Sequence, residues 1–235
     1  GSSKVALDLA HKMGLEITET VPSLFTFRTP NSIFNELSGV TLDKVSVKIE
    51  GLPGSQSGPL LFTHRGLSGP AILKTSAYKA LELSEKNYEF SIYIDFLPKH
   101  SLEEVLEEIE TTKKKLKGLE VDLPKRLIAK VIEHCGLSAD SFANSLSSKS
   151  QKELALAFKS LKIEVNGKDT FKEEFVTAGG IDLKEIDFKS FEAKKIPNFF
   201  IAGEILNIDA VTGGFNFQAA WTGAFHIATA LSLRE

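Results

Sequence analysis

Residues 198–231 read NFFIAGEILNIDAVTGGFNFQAAWTGAFHIATAL, and this stretch says most about the fold of the chain. Its first five residues form a short apolar run after Pro197, which predicts a buried strand. After Gly213 and Gly214, apolar residues recur at helical spacing and predict a helix. We therefore predict a strand, a loop and a helix in succession.

The junction between loop and helix is the predicted ligand site. We expect the strand to lie in a parallel sheet, so that the loop leaves from its carboxyl end. Four small residues give the helix a smooth face that another group can approach closely: Ala219, Ala220, Gly223 and Ala224. The free N–H groups and the positive dipole end of the helix favour an anion or an electron-rich ring. A tight turn that only caps a structural helix is the alternative for the paired glycines.

The composition is that of an ordinary globular chain. It has 235 residues, 42% of them hydrophobic and 25% charged, with a net charge of −3. This balance gives no bulk electrostatic case for binding nucleic acid or a membrane. Cys135 is the only cysteine, so an intrachain disulfide is excluded and a cytoplasmic location is predicted. The five histidines are isolated in sequence, which predicts no metal site.

The patterns along the chain predict strands first, then helices, then strands again. Alternation at residues 45–50 and 88–96 predicts half-buried antiparallel strands. Ser101 and Glu104 form a capping-box pattern that opens a helical region over residues 98–160, including a helix at 139–146. Lysines in this region balance its glutamates, which favours a solvated face over a nucleic-acid patch. The dipeptide at residues 166–167, Asn-Gly, predicts a hairpin that pairs 161–165 with 175–177.

Three motifs occur in order along the chain. They are T-H-R-G-L-S-G-P at 63–70, T-A-G-G-I at 177–181 and G-E-I-L-N-I-D-A-V-T-G-G-F-N-F-Q at 203–218. Together they resemble the aminoacetone-oxidase-like family of bacterial NAD(P)/FAD-dependent oxidoreductases. The chain departs from that family's pattern at Asn207, where Asp is usual, and at Ala210, where Gly is usual.

The resemblance implies an α+β fold in three parts. The expected parts are a remnant of an α/β FAD-binding domain (1–18 and 195–235), a strand-rich, antiparallel, barrel-like domain (19–97 and 161–194) and an all-helical insertion (98–160). The N-terminal G-x-G-x-x-G segment that holds a pyrophosphate does not occur in this sequence. The chain is therefore expected to be the C-terminal portion of a longer flavoprotein, with weak or absent FAD binding by itself.

The resemblance also implies the residues that contact the cofactor. Glu204 would accept a hydrogen bond from a ribityl or ribose hydroxyl, and the amides of residues 212–215 would face the pyrimidine edge of the flavin. The expected FAD-binding set is Gly203, Glu204, Asn207, Asp209, Thr212, Gly213, Gly214, Phe215, Asn216 and Gln218. For Asn216, helix capping is an equal alternative.

Two further pairs are candidates for contact with the flavin or the substrate. His64 and Arg65 follow a predicted strand and are expected beside a helix N-terminus, where a polar turn with a salt bridge is the alternative. Gly179 and Gly180 would let backbone approach the flavin ring, or would form an ordinary crossover between domains. No residue stands out as a general acid or base.

The function implied is that of a portion of an FAD-dependent oxidoreductase whose flavin lies between the α/β and the strand-rich domains. Its expected partners are a small-molecule substrate and NAD(P)H, with no nucleic acid and no membrane. The alternative is a non-enzymatic ligand- or partner-binding module that keeps the fold without redox activity.

Overall fold

A computed structural model describes residues 4–30, 32–168 and 176–234. Its helices are α1 Lys4–Lys12, α2 Pro70–Tyr78, α3 Ala80–Glu85, α4 Leu102–Thr111, α5 Lys125–His134, α6 Ser148–Lys159 and α7 Phe215–Ser232. Its strands are β1 Ile17–Ser23, β2 Phe27–Arg28, β3 Thr41–Ile49, β4 Gln56–Thr63, β5 Gly66–Ser68, β6 Glu89–Asp95, β7 Leu161–Asn166, β8 Val176–Ile181, β9 Ile186–Asp187 and β10 Glu192–Ala193. Short 3₁₀ helices lie at Ile33–Leu37, Leu116–Gly118, Ala143–Ser145 and Leu183–Glu185.

The chain divides into two compact units. Unit 1 comprises Gly1–Phe25, Ser76–Glu85 and Thr170–Glu235, and unit 2 comprises Thr26–Thr75 and Lys86–Asp169. Unit 2 is therefore inserted between segments of unit 1. The three-part division expected from the sequence stays a prediction.

Unit 2 contains a six-stranded antiparallel sheet in the order β2-β5-β4-β3-β6-β7. Its two edges meet, because Phe27 on β2 forms an antiparallel bridge with Lys168 just after β7. The Arg28 N–H donates to the Gly167 carbonyl at 2.9 Å across the same seam. The sheet is thus a nearly closed barrel, which confirms the α+β class and the barrel-like antiparallel sheet.

The barrel core follows from the alternation of apolar residues. On β3, Val45, Val47 and Ile49 are buried while their neighbours are not. β7 repeats this pattern over six residues. Side chains alternate between the two faces of a strand, so one face of each strand fills the barrel and the other faces outward.

Helices α4, α5 and α6 form the predicted helical region of unit 2. The capping box at α4 is present, with the Ser101 hydroxyl accepting from the Glu104 N–H and the Glu104 carboxylate accepting from the Ser101 N–H. The apolar residues of α5, which are Leu127, Ile128, Val131 and Ile132, form a buried face. The helix predicted at residues 139–146 is wrong, since only the 3₁₀ turn Ala143–Ser145 forms there.

The predicted hairpin at Asn166-Gly167 is also wrong. β7 pairs with β6, and β8 pairs instead with β1 in unit 1, with Ser23 opposite Val176. The Gly167 N–H donates to the Tyr88 carbonyl at 2.8 Å and its carbonyl accepts from Arg28. The turn therefore serves barrel closure. Phe175, part of the predicted partner strand, lies outside the described residues.

The strand predicted at residues 198–202 and its parallel sheet are not present. Phe200 makes a single antiparallel bridge with Glu192, and the Ile201 N–H donates to the Phe191 carbonyl at 2.9 Å. In the described part of unit 1, both strand pairs are antiparallel, and the one parallel bridge joins Ile181 to Leu206. The apolar run is instead irregular backbone, in which Ile201 is buried in the unit 1 core and Phe199 and Ala202 pack against that core.

Within residues 4–30, 32–168 and 176–234, no helix is long and apolar enough to cross a membrane.

Candidate functional site

The loop from Gly203 to Gly214 is held against the end of β8. The Ile181 N–H donates to the Ile205 carbonyl, and the Asn207 N–H donates to the Ile181 carbonyl, both at 2.9 Å. The turn begins with a hydrogen bond from the Leu206 N–H to the Gly203 carbonyl. The loop is therefore fixed in unit 1 by backbone hydrogen bonds, with the Asn207 side chain half-buried and Glu204 exposed.

Gly179 and Gly180 are required by the packing of the backbone itself. A Cβ at Gly180 would lie 2.5 Å from the Ile205 carbonyl oxygen, and one at Gly179 would lie 2.0 Å from the Glu19 carbonyl oxygen. Both residues are buried, with φ of +93° at Gly179 and +131° at Gly180. The space beside them is filled by the protein's own chain, which accounts for both glycines structurally.

Asp209 and Ser23 connect the loop to β1. The Ser23 hydroxyl donates to the Asp209 carboxylate at 3.0 Å, and Ser23 is completely buried. A hydrogen bond to a carboxylate is stronger than one between neutral groups, so this contact holds the middle of the loop in place. It also assigns the Asp209 carboxylate a structural partner.

Asn216, in the first turn of α7, closes the last part of the loop. Its carboxamide oxygen accepts from the Ala210 N–H at 2.9 Å, and its amide donates to the Ala210 carbonyl at 3.1 Å. The side chain thereby makes to the Ala210 backbone the two hydrogen bonds that a residue on a neighbouring strand would make. The helix-capping role predicted for Asn216 is wrong, because Gly214 is the N-cap and no side chain caps it; Asn216 instead joins loop and helix, and its contact with a cofactor stays a prediction.

The N-terminus of α7 is open to solvent. Residues 212–215 are exposed, and Gly214 occupies the N-cap in the left-handed region at φ +85° with no side-chain cap. The first N–H groups of a helix have no partner within the helix. Among the described residues none accepts from the Phe215 or Phe217 N–H, so these donors and the positive end of the helix dipole are available to a bound group.

The small-residue face of α7 is used for packing inside unit 1. Gly223 is the buried residue of the helix, and a Cβ there would lie 2.7 Å from the Ala202 Cβ and 2.9 Å from the Phe191 ring. Ala220 lies 3.7 Å from the position of a Cβ on Gly203. Gly223 and Ala220 therefore meet the protein's own residues, whereas Ala224 and Gln218 are exposed. Among the described residues, the Gln218 side chain hydrogen-bonds Thr222.

His64 and Arg65 lie in unit 2, at the turn between β4 and β5. Both are exposed, and the turn is closed by the Thr63 hydroxyl, which donates to the Gly66 carbonyl at 3.1 Å. Their placement beside a helix N-terminus is wrong, because β5 carries the chain back along β4 before α2 begins at Pro70. The turn thus lies at one end of this hairpin and the helix start at the other.

Sequence reasoning missed three residues that position the loop, β8 and α7 within unit 1. The Ser23 hydroxyl holds the Asp209 carboxylate, and the Thr18 hydroxyl donates to the Gly180 carbonyl at 3.0 Å. The Phe191 ring fills the space that a side chain at Gly223 would need. A buried serine in an apolar V-P-S-L segment was the one available signal. The other two contacts depend on chain pairing that no local pattern encodes.

In the part of the chain that the structure describes, no group of three or more His, Cys, Asp or Glu side chains could hold a metal ion. The loop and the helix start offer backbone donors instead. This arrangement suits an anionic or electron-rich group bound by amides.

The architecture defines the class: an α+β protein in which a nearly closed antiparallel barrel with attached helices is inserted into a second unit. The comparison with known families agrees. Residues 21–176, more than half of the chain, match the family described as "HI0933-like protein barrel and H2TH domain". The chain belongs to the HI0933-like family.

Three curated relatives match over nearly the whole chain. It is 33% identical to the ribosomal RNA dihydrouridine synthase of Haemophilus influenzae over 99% of the chain, and 32% identical to that of Escherichia coli over 97%. It is 26% identical to the 3-dehydro-bile acid delta(4,6)-reductase of Clostridium scindens over 96%. The chain spans 56–57% of the length of these relatives, all of which are named as enzymes.

These relatives correct the function predicted from the sequence. The chain was interpreted as a portion of an FAD-dependent oxidoreductase with its flavin between two domains, or as a non-enzymatic module. The two relatives at 32–33% identity are instead named for the synthesis of dihydrouridine in ribosomal RNA. The motifs correctly indicated an enzyme family, but no local pattern pointed to the ribosomal RNA that appears in the names of these two relatives.

Proposed function

We propose that the protein carrying this chain converts a uridine of ribosomal RNA to dihydrouridine. The match at 32–33% identity over 97–99% of the chain to two relatives with that name carries the proposal. The bile-acid reductase, at lower identity, supports the same general chemistry, because its name also denotes a reduction. The chain covers little more than half of each relative, so the activity is proposed for the whole protein.

Saturating the C5=C6 bond of uracil requires a hydride and a proton. A bound flavin would supply the hydride, because hydride transfer is chemistry that proteins leave to a cofactor. The residues described here would bind and orient that group. Their contribution is positional and electrostatic.

The start of α7 fits such a group. A Cβ at Gly214 would meet nothing within 4 Å, and the neighbouring residues are exposed, so a planar ring has access to the helix amides. Outward N–H groups stabilise negative charge on a ring edge, and the helix dipole adds to this. Glu204, exposed at the turn, is free to accept from a sugar or ribityl hydroxyl.

The proposed cofactor contacts divide by what they already do in the structure. Glu204 and the amides at residues 212–215 are exposed and available. Asp209 and Asn216 hold the loop in shape through Ser23 and Ala210, so their effect on a cofactor would be indirect. Contact of Gly203, Asn207, Gln218, His64, Arg65, Gly179 or Gly180 with a cofactor or substrate stays a prediction.

The finer inferences from the sequence belong to this proposal. They are the aminoacetone-oxidase-like assignment, FAD as the flavin, the α/β FAD-domain remnant, NAD(P)H as reductant, a cytoplasmic location, and weak or absent FAD binding by this chain alone. The predicted absence of a nucleic-acid partner and the present proposal exclude each other. A binding experiment with ribosomal RNA separates them.

Genetic complementation tests the activity. The full-length gene is expressed in an Escherichia coli strain that lacks its ribosomal RNA dihydrouridine synthase, and dihydrouridine in the purified ribosomal RNA is measured by mass spectrometry. We expect the modification to be restored. Unmodified RNA from cells with normal levels of folded protein would reject the proposed activity.

Gly214→Val tests the position of the cofactor, with Gly54→Val as its matched control. The two glycines have φ of +85° and +86°, and a Cβ at either meets nothing within 4 Å, so the backbone strain introduced is the same. We expect only Gly214→Val to lower the flavin content of the purified full-length protein and its rescue of RNA modification. Equal loss in both variants would contradict a cofactor at α7.

A further inference from the structure

Helix α7 presents a row of exposed aromatic side chains on the side opposite its anchor. Phe217, Trp221 and Phe225 are 67%, 66% and 69% exposed, and their spacing of four residues places them on one face. The rings of Phe217 and Trp221 stack, with centroids 6.1 Å apart and an interplanar angle of 21°. We call Phe217, Trp221 and Phe225 the aromatic face of α7.

The aromatic face is distinct from the part of α7 that packs within unit 1. Gly223 meets Phe191 and Ala202, and Ile227 packs against the unit 1 core. The helix contains no Asp, Glu, Lys or Arg over its 18 residues. A contiguous group of large exposed apolar side chains marks an interaction site, whereas single apolar residues scattered over a surface are normal.

We propose that the aromatic face of α7 is the docking surface for another part of the same full-length protein. The occupant is the portion that corresponds to the 43% of the relatives' length (100 − 57) that this chain does not match. That portion is of domain size in the relatives, and docking on α7 would bury the three rings. This proposal is independent of the reaction that the protein catalyses.

The size of the face favours a covalently joined occupant over a second copy of the chain. Aromatic side chains bury roughly 150–250 Å² each, so three that are two-thirds exposed offer roughly 300–500 Å². A stable interface between separate proteins needs about 800 Å² per partner. A segment of the same polypeptide avoids most of the entropy cost of association, so the smaller face is sufficient.

The chemistry of α7 disfavours lipid and nucleic-acid partners. Helices that lie on anionic membranes carry Lys and Arg along their polar face, and affinity for nucleic acid depends on the same cations. Helix α7 has neither residue. An apolar protein surface is therefore the partner that its composition fits.

Hydroxyl-radical footprinting reads each ring of the aromatic face separately. The 235-residue chain and the full-length protein are oxidised at several low concentrations, and modification of Phe217, Trp221 and Phe225 is measured by mass spectrometry. Phe142, 50% exposed in unit 2, is the internal reference. We expect oxidation of the three rings to fall about fivefold in the full-length protein relative to Phe142, because docked cores exclude water like protein interiors.

Two other outcomes would overturn the proposal. Protection that rises with concentration in the 235-residue chain would assign the face to a second copy. Equal, strong oxidation in both proteins at every concentration would show that nothing covers it.

Substitution gives a second measurement that does not depend on oxidation. Phe225→Glu places a charge in the proposed interface, and Phe142→Glu places one on an exposed ring of unit 2 as the matched control. In the full-length protein we expect Phe225→Glu to raise the oxidation of Trp221 about fivefold over the wild type, which reverses the fall expected on docking. Phe142→Glu should leave the oxidation of Trp221 unchanged. Continued protection of Trp221 in a folded Phe225→Glu variant would contradict the assigned face.

Discussion

The side chain of Asn216 hydrogen-bonds both backbone groups of Ala210, at 2.9 Å to the N–H and 3.1 Å to the carbonyl. This pair of bonds joins the first turn of α7 to the loop that precedes it. Because the pair uses an acceptor and a donor at once, only a carboxamide of this length satisfies both. The shape of the loop at the helix start therefore depends on one side chain.

We expect Asn216→Ala to loosen residues 210–214 and to lower the free energy of unfolding by about 1–2 kcal/mol, since each lost hydrogen bond is worth about 1 kcal/mol. Asn216→Asp keeps the acceptor and loses the donor, so its free energy of unfolding should lie between those of the wild type and Asn216→Ala. Amide hydrogen exchange at Ala210, with urea unfolding, measures the effect. Gln218→Ala is the control, because that side chain reaches only the exposed Thr222. Faster exchange in both variants alike would contradict the assigned role.

Gly180→Ala should destabilise unit 1 strongly. The new Cβ would lie 2.5 Å from the Ile205 carbonyl oxygen, closer than side-chain carbons approach backbone, so the loop must move away from β8. Gly14→Ala also places a Cβ at positive φ, +88° against +131° at Gly180, but with nothing within 4 Å, so it measures the cost of a positive φ without the close contact. We expect about 1 kcal/mol for Gly14→Ala and at least about 2 kcal/mol more for Gly180→Ala by denaturant unfolding. Similar values would show that the contact relaxes easily.

The barrel surface carries a pH-dependent contact at Glu50. The Tyr93 hydroxyl donates to the Glu50 carboxylate at 2.6 Å and Lys162 binds both its oxygens, which lowers the pKa of Glu50 from 4.5 to about 2. A carboxyl whose pKa is lower in the folded state adds stability above its unfolded pKa and loses it as the pH falls. The contribution should therefore be complete above pH 4.5 and disappear towards pH 2.

Unfolding of the wild type and of Glu50→Gln between pH 2 and 7 measures this contribution. We expect the difference in stability to be constant above pH 5 and to shrink below pH 4.5. Tyr93→Phe removes the main cause of the lowered Glu50 pKa. In that variant the stability difference caused by Glu50→Gln should change over a narrower pH range below 4.5. Because the contact is on the surface, high salt should weaken it, and a difference independent of both pH and salt would contradict the electrostatic account.

Cys135 should be unreactive in the folded protein. Burial, with the nearby charge of Glu153 as the smaller cause, raises the pKa of its thiol from 9.0 to about 11. The thiolate is the reactive form, so alkylation by iodoacetamide at pH 8 should be about 100-fold slower than for a free cysteine, whose pKa is about 8.5. As the only cysteine, it reports one rate, which should rise to the free-cysteine value in urea. Rapid alkylation of the native protein would show that α5 opens at its end.

The sequence predicted the elements of unit 2 better than those of unit 1. β3, β6 and β7 have alternating apolar residues, α4 has a capping box and both α4 and α5 have apolar faces, so local patterns were sufficient. The partner of β8 was predicted incorrectly, because it pairs with β1, more than 150 residues away, and no local pattern encodes that choice. The apolar run at residues 198–202 predicts a strand because buried irregular backbone and a buried strand have the same apolar sequence pattern.

The sequence alone determined the helix at the C-terminus, the paired glycines before it and the apolar surfaces, since periodicity, capping and backbone freedom are local properties. Tertiary structure decided how those features are used. It placed the small face of α7 against Phe191 and Ala202, filled the space beside Gly179 and Gly180 with backbone, and left the aromatic face exposed. The reason is physical: a residue's type limits which contacts it can make, but only the folded chain decides which partners come within reach.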